Sequence, residues 1–169
     1  MELVNASQKK KAFQNLFNLY VHELSGYDHW LGTALDSEGI YQSPGGLEEY
    51  YDETKKEAYV IMEDEQAIGF VVFSQEPNLC SVNEIFIVNS KRNMGIASGI
   101  IQNYWKDKTG TFMTHLLKNN QPAISFWENL FKRNNYLFET TKRDEVAVNY
   151  WVKLTEISLN KRVISNDFD

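Results

Sequence analysis

The sequence predicts an α/β fold, because segments with strand periodicity alternate with segments of helical periodicity along its 169 residues. A chain of this length can bury one complete hydrophobic core. Apolar residues make up 43% of it, and neither an internal repeat nor a low-complexity linker interrupts it. We therefore expect one domain over residues 1–154, followed by a C-terminal tail over residues 155–169 that frays.

The first third of the chain is expected to form a short strand and then a helix–loop–helix region. A short strand over Glu2–Asn5 precedes an amphipathic helix that Ser7 caps and Gly26 ends. A glycine-rich loop follows from Tyr27 to Glu49, and a short second helix is predicted over Leu47–Lys56.

The remaining two thirds carry most of the predicted sheet. Runs of β-branched and aromatic residues predict a hairpin, two further strands and a closing strand pair. The predicted strands are Ala58–Met62, Ala67–Phe73, Val82–Val88, Thr111–Leu117, Tyr136–Glu139 and Ala147–Leu154. Helical spacing predicts two helices in this part, Gly95–Lys106 and Ala123–Lys132.

The junction between the strand Val82–Val88 and the next helix is the most informative local feature. The strand enters a short polar turn, which opens into a helix whose first turn holds small residues such as Gly95 and Gly99. The first N–H groups of a helix lack intrahelical acceptors, and the helix dipole adds positive charge there, which favours a phosphate. The junction lacks the first glycine of a Rossmann fingerprint, and the chain contains no P-loop string.

Two motifs of the chain resemble the two sequence signatures of one known enzyme family. Residues 92–97 read R-x-x-G-x-A, which resembles the acetyl-CoA loop Q/R-x-x-G-x-G/A of the GNAT superfamily of N-acetyltransferases. Residues 120–127 read N-x-x-A-x-x-F-W, which resembles the second signature of that family, N-x-x-A-x-x-[LF]-Y. The motifs occur in the family's order, and the resemblance covers the chain up to Leu154. The chain looks most like a poorly characterised group of predicted acetyltransferases that share the Phe-Trp pair.

The resemblance implies a mixed central sheet with flanking helices and a splayed parallel pair of strands, Val82–Val88 and Thr111–Leu117. It implies acetyl-CoA as co-substrate, with pantetheine lying between those strands and the pyrophosphate held by amides of the glycine turn. Asn120 would contact the pantetheine arm. The residues that the resemblance places at acetyl-CoA are Ile85, Phe86, Ile87, Arg92, Asn93, Met94, Gly95, Ile96, Ala97, Ser98, Asn120 and Trp127.

Direct transfer of an acetyl group to an amine requires a base, because an ammonium has no lone pair. His115 is the first candidate, since some family members carry an acidic base at that point of the second splayed strand. Glu84 is the second candidate, just before the pantetheine-pairing residues. His22 and His29 lie outside both motifs, and we expect them to be structural or, at most, to face the substrate.

Trp127 departs from the family pattern, which has a tyrosine there that is thought to protonate the departing thiolate. An indole N–H is too weak an acid for this step, so water or another group protonates the thiolate, or it leaves unprotonated. Two functions therefore stay open. One is an acetyl-CoA-dependent N-acetyltransferase acting on a small-molecule or protein amine, which His115 and the intact loop favour. The other is a non-catalytic acyl-CoA-binding module, which Trp127 favours.

The composition of the chain limits the kinds of partner and site that we expect. A net charge of −6 and a pI of about 5.1 argue against nucleic-acid binding and favour cationic acceptors. The single cysteine, Cys80, excludes an intramolecular disulfide, and no ligand spacing predicts a metal site. No apolar run reaches membrane-span length and no signal peptide is visible, so we expect a cytoplasmic protein without a membrane partner. Pairing at the edge of the C-terminal strand pair is one route to a homodimer.

Overall fold

The computed structural model describes residues 1–27, 34–41, 46–54 and 56–154. Within these ranges the chain forms seven strands and three α-helices, which confirms the predicted α/β class. The strands are β1 (Glu2–Asn5), β2 (Glu57–Glu63), β3 (Gln66–Glu76), β4 (Leu79–Ile87), β5 (Gly110–Leu117), β6 (Phe138–Lys142) and β7 (Ala147–Leu154). The helices are α1 (Lys10–Ser25), α2 (Ile96–Trp105) and α3 (Gln121–Arg133).

The sheet is mixed, with the strand order β1-β2-β3-β4-β5-β7-β6. β4 and β5 pair in parallel, with Leu79 opposite Thr111 and Ser81 opposite Met113. The pairs β1–β2, β2–β3, β5–β7 and β6–β7 are antiparallel. The mixed sheet with a parallel β4–β5 pair is therefore confirmed.

The described chain divides into two compact units, of which the first comprises Met1–Ser74 and Val82–Ala97. Its core joins the apolar face of α1 to one face of β2, β3 and β4. Phe13 packs against Phe70 with ring centroids 5.0 Å apart. The buried residues of this core are Ala6, Phe13, Leu16, Phe17, Tyr50, Ala58, Val60, Phe70, Val72 and Phe86.

The second unit comprises Gln75–Ser81 and the chain from Ser98 onward. Its core is aromatic, with Trp105 of α2 packed edge-on against Phe112 of β5 at 4.0 Å. Trp127 and Phe131 of α3 join this cluster. Burial alternates along β5, as expected for a strand with one face on a core.

The helix predicted over Leu47–Lys56 is wrong in its extent. Only one turn of 3-10 helix forms, over Glu48–Tyr51. The Asp52 carboxylate accepts hydrogen bonds from the backbone N–H of Thr54 at 3.1 Å and from its hydroxyl at 2.6 Å. Such local bonds compete with helix propagation, and Asp52 is already extended.

Two helix starts also differ from the prediction. Ser7 lies in a 3-10 turn over Ala6–Gln8, and its backbone N–H donates to the Asn5 side chain at 2.8 Å, so Asn5 is the residue that caps. α3 begins earlier than predicted because Asn120 caps it and Pro122 occupies its first turn.

Candidate active site

β4 runs into α2 through a turn with two left-handed residues. A short 3-10 turn over Asn89–Lys91 follows the strand, and Asn93 and Gly95 then adopt φ values of 61° and 78°. Asparagine and glycine tolerate this region best. α2 begins directly after Gly95 and has no acidic residue in its first turn. The start of α2 thus has the dipole and the backbone chemistry that favour an anion, and its own first turn carries no carboxylate.

Arg92 holds this turn in place through its side chain. Its two terminal nitrogens donate to the carboxylate of Glu23 on α1 at 3.1 and 2.7 Å. Its Nε donates to the backbone carbonyl of Ile87 at 2.8 Å, and the guanidinium lies 5.5 Å from the centroid of the Phe86 ring. Because the charge is paired with Glu23, the arrangement favours a positioning role for the Arg92 side chain.

Lys91 ties the same turn to β2. Its ammonium donates to the carboxylate of Glu63. This bond and the attraction of the two charges hold the pKa of Glu63 below its usual value and that of Lys91 above its usual value. The turn is therefore connected to both α1 and β2 by ion pairs.

Gly69 of β3 has a backbone role that neither motif predicts. A Cβ at this position of β3 would lie 2.2 Å from the backbone oxygen of Phe86. Glycine thus allows β3 to approach β4 closely at Phe86 and Ile87. An isolated glycine within a strand pattern is the signal that could have identified it.

Glu84 has an unusual environment on the core side of β4. Its Oε1 accepts a hydrogen bond from the hydroxyl of Tyr50 at 3.1 Å. Its Oε2 is buried and has no hydrogen-bond partner among the described residues. Burial raises the pKa of Glu84 to about 7, although the Tyr50 bond and the charge of Lys56 act in the opposite direction. Glu84 can therefore exchange a proton near neutral pH.

Two phenols lie near this carboxyl group, Tyr20 of α1 and Tyr50 of the 3-10 turn Glu48–Tyr51. Burial, followed by the negative charge of Glu84, raises the pKa of both hydroxyls. Both phenols consequently stay protonated at physiological pH, and Tyr50 can serve only as a donor to the carboxylate.

His115, the first candidate base, lies on β5 in the second unit. It is half-buried and stands opposite Asn149 of β7 in the strand register. The alternation of β5 places it on the face away from Phe112, Thr114 and Leu116, which are buried in the aromatic core.

The residues of the second motif have structural partners in α3. The side-chain oxygen of Asn120 accepts the backbone N–H of Ala123 at 3.1 Å, which caps the helix. Trp127 is only 2% exposed, with its ring 5.8 Å from Phe112 and 5.7 Å from Phe131. This placement favours packing for Trp127 over direct contact with a ligand.

The model of the acetyltransferase (GNAT) family matches residues 16–131 of the chain. The chain belongs to the GNAT acetyltransferase family. The predicted family is therefore confirmed, and the two motifs lie within the matched region.

Solved structures of several acetyltransferases share the fold. An acetyltransferase from Thermus thermophilus superposes with a TM-score of 0.61 at 13% identity, covering 90% of this chain and 96% of that one. An N-acetyltransferase from Staphylococcus aureus Mu50 gives 0.55 at 18% identity, with the same coverage. Diaminobutyrate acetyltransferase from Paenibacillus lautus, solved with L-2,4-diaminobutyric acid and coenzyme A, gives 0.54 at 12% identity, covering 80% and 90%. No curated protein matches the chain by sequence.

The roles of individual residues in this GNAT protein stay predictions. His22 shares a hydrogen bond of 2.9 Å with the hydroxyl of Tyr41, and His29 lies outside the described residues. Cys80 is buried in β4. In the described ranges, no three His, Cys, Asp or Glu side chains are grouped to hold a metal ion. None of the described helices is long and apolar enough to span a membrane.

Proposed function

We propose that this GNAT protein is an acetyl-CoA-dependent N-acetyltransferase that moves the acetyl group directly to an amine. The observation that carries the proposal is the turn from β4 into α2. It combines Gly95 in a left-handed conformation, a helix start without acidic residues, and two ion pairs that fix the turn. These are properties that suit a pyrophosphate.

The proposed contacts with acetyl-CoA follow the family motifs. Main-chain groups of Ile85, Phe86 and Ile87 would pair with the pantetheine amides, and the amides of residues 93–98 would bind the pyrophosphate. The amide nitrogen of Asn120 would donate to the pantetheine arm, since its oxygen already caps α3. The diaminobutyrate acetyltransferase of the same fold was solved with coenzyme A and an amine substrate, which supports both the donor and the acceptor class.

Glu84 is the base that the geometry favours. One proton of the acceptor ammonium passes to Oε2 of Glu84, and the nitrogen lone pair forms a bond to the thioester carbonyl carbon. The carbon–sulfur bond then breaks. The second proton lost by the nitrogen neutralises the CoA thiolate, while Glu84 returns its proton to solvent. His115 is retained as the alternative base, and Trp127 takes no part in proton transfer.

The catalytic unit is proposed to span residues 1–154. We place the enzyme in the cytoplasm, because its one cysteine is buried and suits a reducing compartment. The alternative function is an acyl-CoA-binding module without turnover, which the replacement of the usual tyrosine by Trp127 favours.

The first test of this function is an assay of CoA release against a panel of amines. Wild type should release free thiol from acetyl-CoA in the presence of at least one amine. The variant Glu84→Gln should lower the rate by about 10²- to 10⁴-fold, the usual contribution of a general base. His115→Ala, assayed in parallel, should retain most of the activity. Binding of acetyl-CoA without turnover of any amine would favour the acyl-CoA-binding module. A larger loss of activity in His115→Ala than in Glu84→Gln would indicate that His115 of β5 is the base.

A further inference from the structure

We propose that Tyr50 is a positioning residue that directs Oε2 of Glu84 toward the acceptor amine and favours the carboxylate form of Glu84. This inference rests on the proposed function, in which Glu84 is the base. It assigns a role to a residue of the 3-10 turn Glu48–Tyr51, which neither family motif includes.

The packing of Tyr50 fixes the position of its hydroxyl. The residue belongs to the 3-10 turn Glu48–Tyr51 and is 7% exposed. Its ring lies 5.5 Å from that of Phe13 and 5.4 Å from that of Phe17, both on α1. A ring held from one side by two aromatic neighbours has little freedom, so its hydroxyl is a pre-oriented donor.

The hydrogen bond gives the two carboxylate oxygens of Glu84 different environments. Oε1 accepts from the Tyr50 hydroxyl at 3.1 Å, whereas Oε2 is buried without a partner among the described residues. A buried carboxylate oxygen without a donor is costly, and a proton or an ammonium N–H would satisfy it. Among the described residues no donor occupies Oε2, so this oxygen is the one that would take up a proton, and the bond to Oε1 fixes the rotation of the carboxyl group.

Groups on several elements act on the charge of Glu84. Tyr20 faces it from α1 and stays neutral, Glu49 repels it from the 3-10 turn, and Lys56 attracts it from the segment before β2. Burial opposes ionisation, and among the described residues Tyr50 donates a direct hydrogen bond to the carboxylate. Loss of this donor should therefore make Glu84 harder to deprotonate.

The test is Tyr50→Phe, which removes the hydroxyl and keeps the packed ring. The acid limb of kcat/KM should move to higher pH by about one unit, since the donor stabilises the charged carboxylate more than the neutral carboxyl group. Tyr51→Phe is the matched control, because the neighbouring Tyr51 hydroxyl donates to the Lys10 carbonyl at 3.5 Å and not to Glu84. The profile is measured with two acceptors whose amines differ in pKa. An acid limb that is the same for both acceptors reports the ionisation of the enzyme and not that of the substrate.

A second readout does not depend on turnover. A carbon-13 NMR titration of the Glu84 carboxyl should show the same upward shift in Tyr50→Phe and none in Tyr51→Phe. A fluorine placed beside the Tyr50 hydroxyl makes it a stronger donor and should move the titration to lower pH.

The possible outcomes separate the two proposals. An unchanged titration in Tyr50→Phe, or an equal shift in both variants, would overturn the role of Tyr50 and leave the proposed function standing. Absence of acetyl-CoA turnover in wild type would remove the proposed function, while the NMR titration would still test the bond between Tyr50 and Glu84.

Discussion

At the residue scale, Glu84 links the chemistry to the stability of the fold. Its pKa is raised from 4.5 to about 7, mainly by burial. Between these two values the folded state holds a proton that the unfolded chain has released. The free energy of unfolding therefore falls as pH rises through this window, and the stabilising contribution is complete only below pH 4.5.

Glu84→Gln should consequently be more stable than wild type at about pH 8, by on the order of 1–3 kcal/mol, and similar to it at about pH 4. Glutamine keeps an oxygen that can accept from Tyr50 but carries no charge to bury. Urea unfolding at both pH values measures the difference. Glu48→Gln, at an exposed position of the neighbouring 3-10 turn, is the control and should show little dependence on pH. A variant that loses stability equally at both pH values would contradict the account.

The sequence ranks His115 before Glu84 as the candidate base, whereas the proposal drawn from the structure ranks Glu84 first. Motif residues were identified because their spacing is local. The proton affinity of Glu84 depends on Tyr50, which lies 34 residues earlier, and on burial beneath α1. Neither contact leaves a pattern in the sequence around Glu84.

At the element scale, a substitution at Gly99 tests the proposed anion site at the start of α2 without straining the backbone. Gly99 lies at the end of the first helical turn, is exposed, and has nothing within 4 Å of an added Cβ. Gly99→Asp should weaken binding of CoA, because a carboxylate there repels the pyrophosphate. The same carboxylate should stabilise the helix by about 0.3–1 kcal/mol through the dipole.

Gly99→Asn has the same shape without the charge and is the matched control for this change. Calorimetric titration with CoA measures the affinity, and thermal unfolding measures the stability. We expect CoA affinity to fall about tenfold in the aspartate variant and to change little in the asparagine variant. Equal affinities in both variants would place the pyrophosphate elsewhere.

Other elements show where sequence periodicity succeeds and where it does not. α1, α2 and β5 were predicted well because their apolar spacing reflects which face is buried. The helix after Leu47 was overestimated because the side chain of Asp52 bonds locally to Thr54. Gly69 was passed over because its role depends on the close approach of a second strand.

At the scale of the whole molecule, the family and the mixed sheet followed from two motifs and from the alternation of elements. The acceptor did not, because neither motif contains a residue whose chemistry selects a particular amine. A net charge of −6 favours a cationic acceptor in a general way. Assigning a particular amine requires measurement.

The central claim is that acetyl-CoA binds at the turn that contains Gly95, and calorimetric titration tests it most directly. Wild type should bind acetyl-CoA with a Kd on the order of micromolar. Gly95→Asp should abolish this binding, whereas Gly39→Asp should not. Gly39 is a matched control, because its φ of 76° is close to the 78° of Gly95. A Cβ added at Gly39 would have no neighbour within 4 Å. Failure of wild type to bind acetyl-CoA, or undiminished binding by Gly95→Asp, would contradict the account.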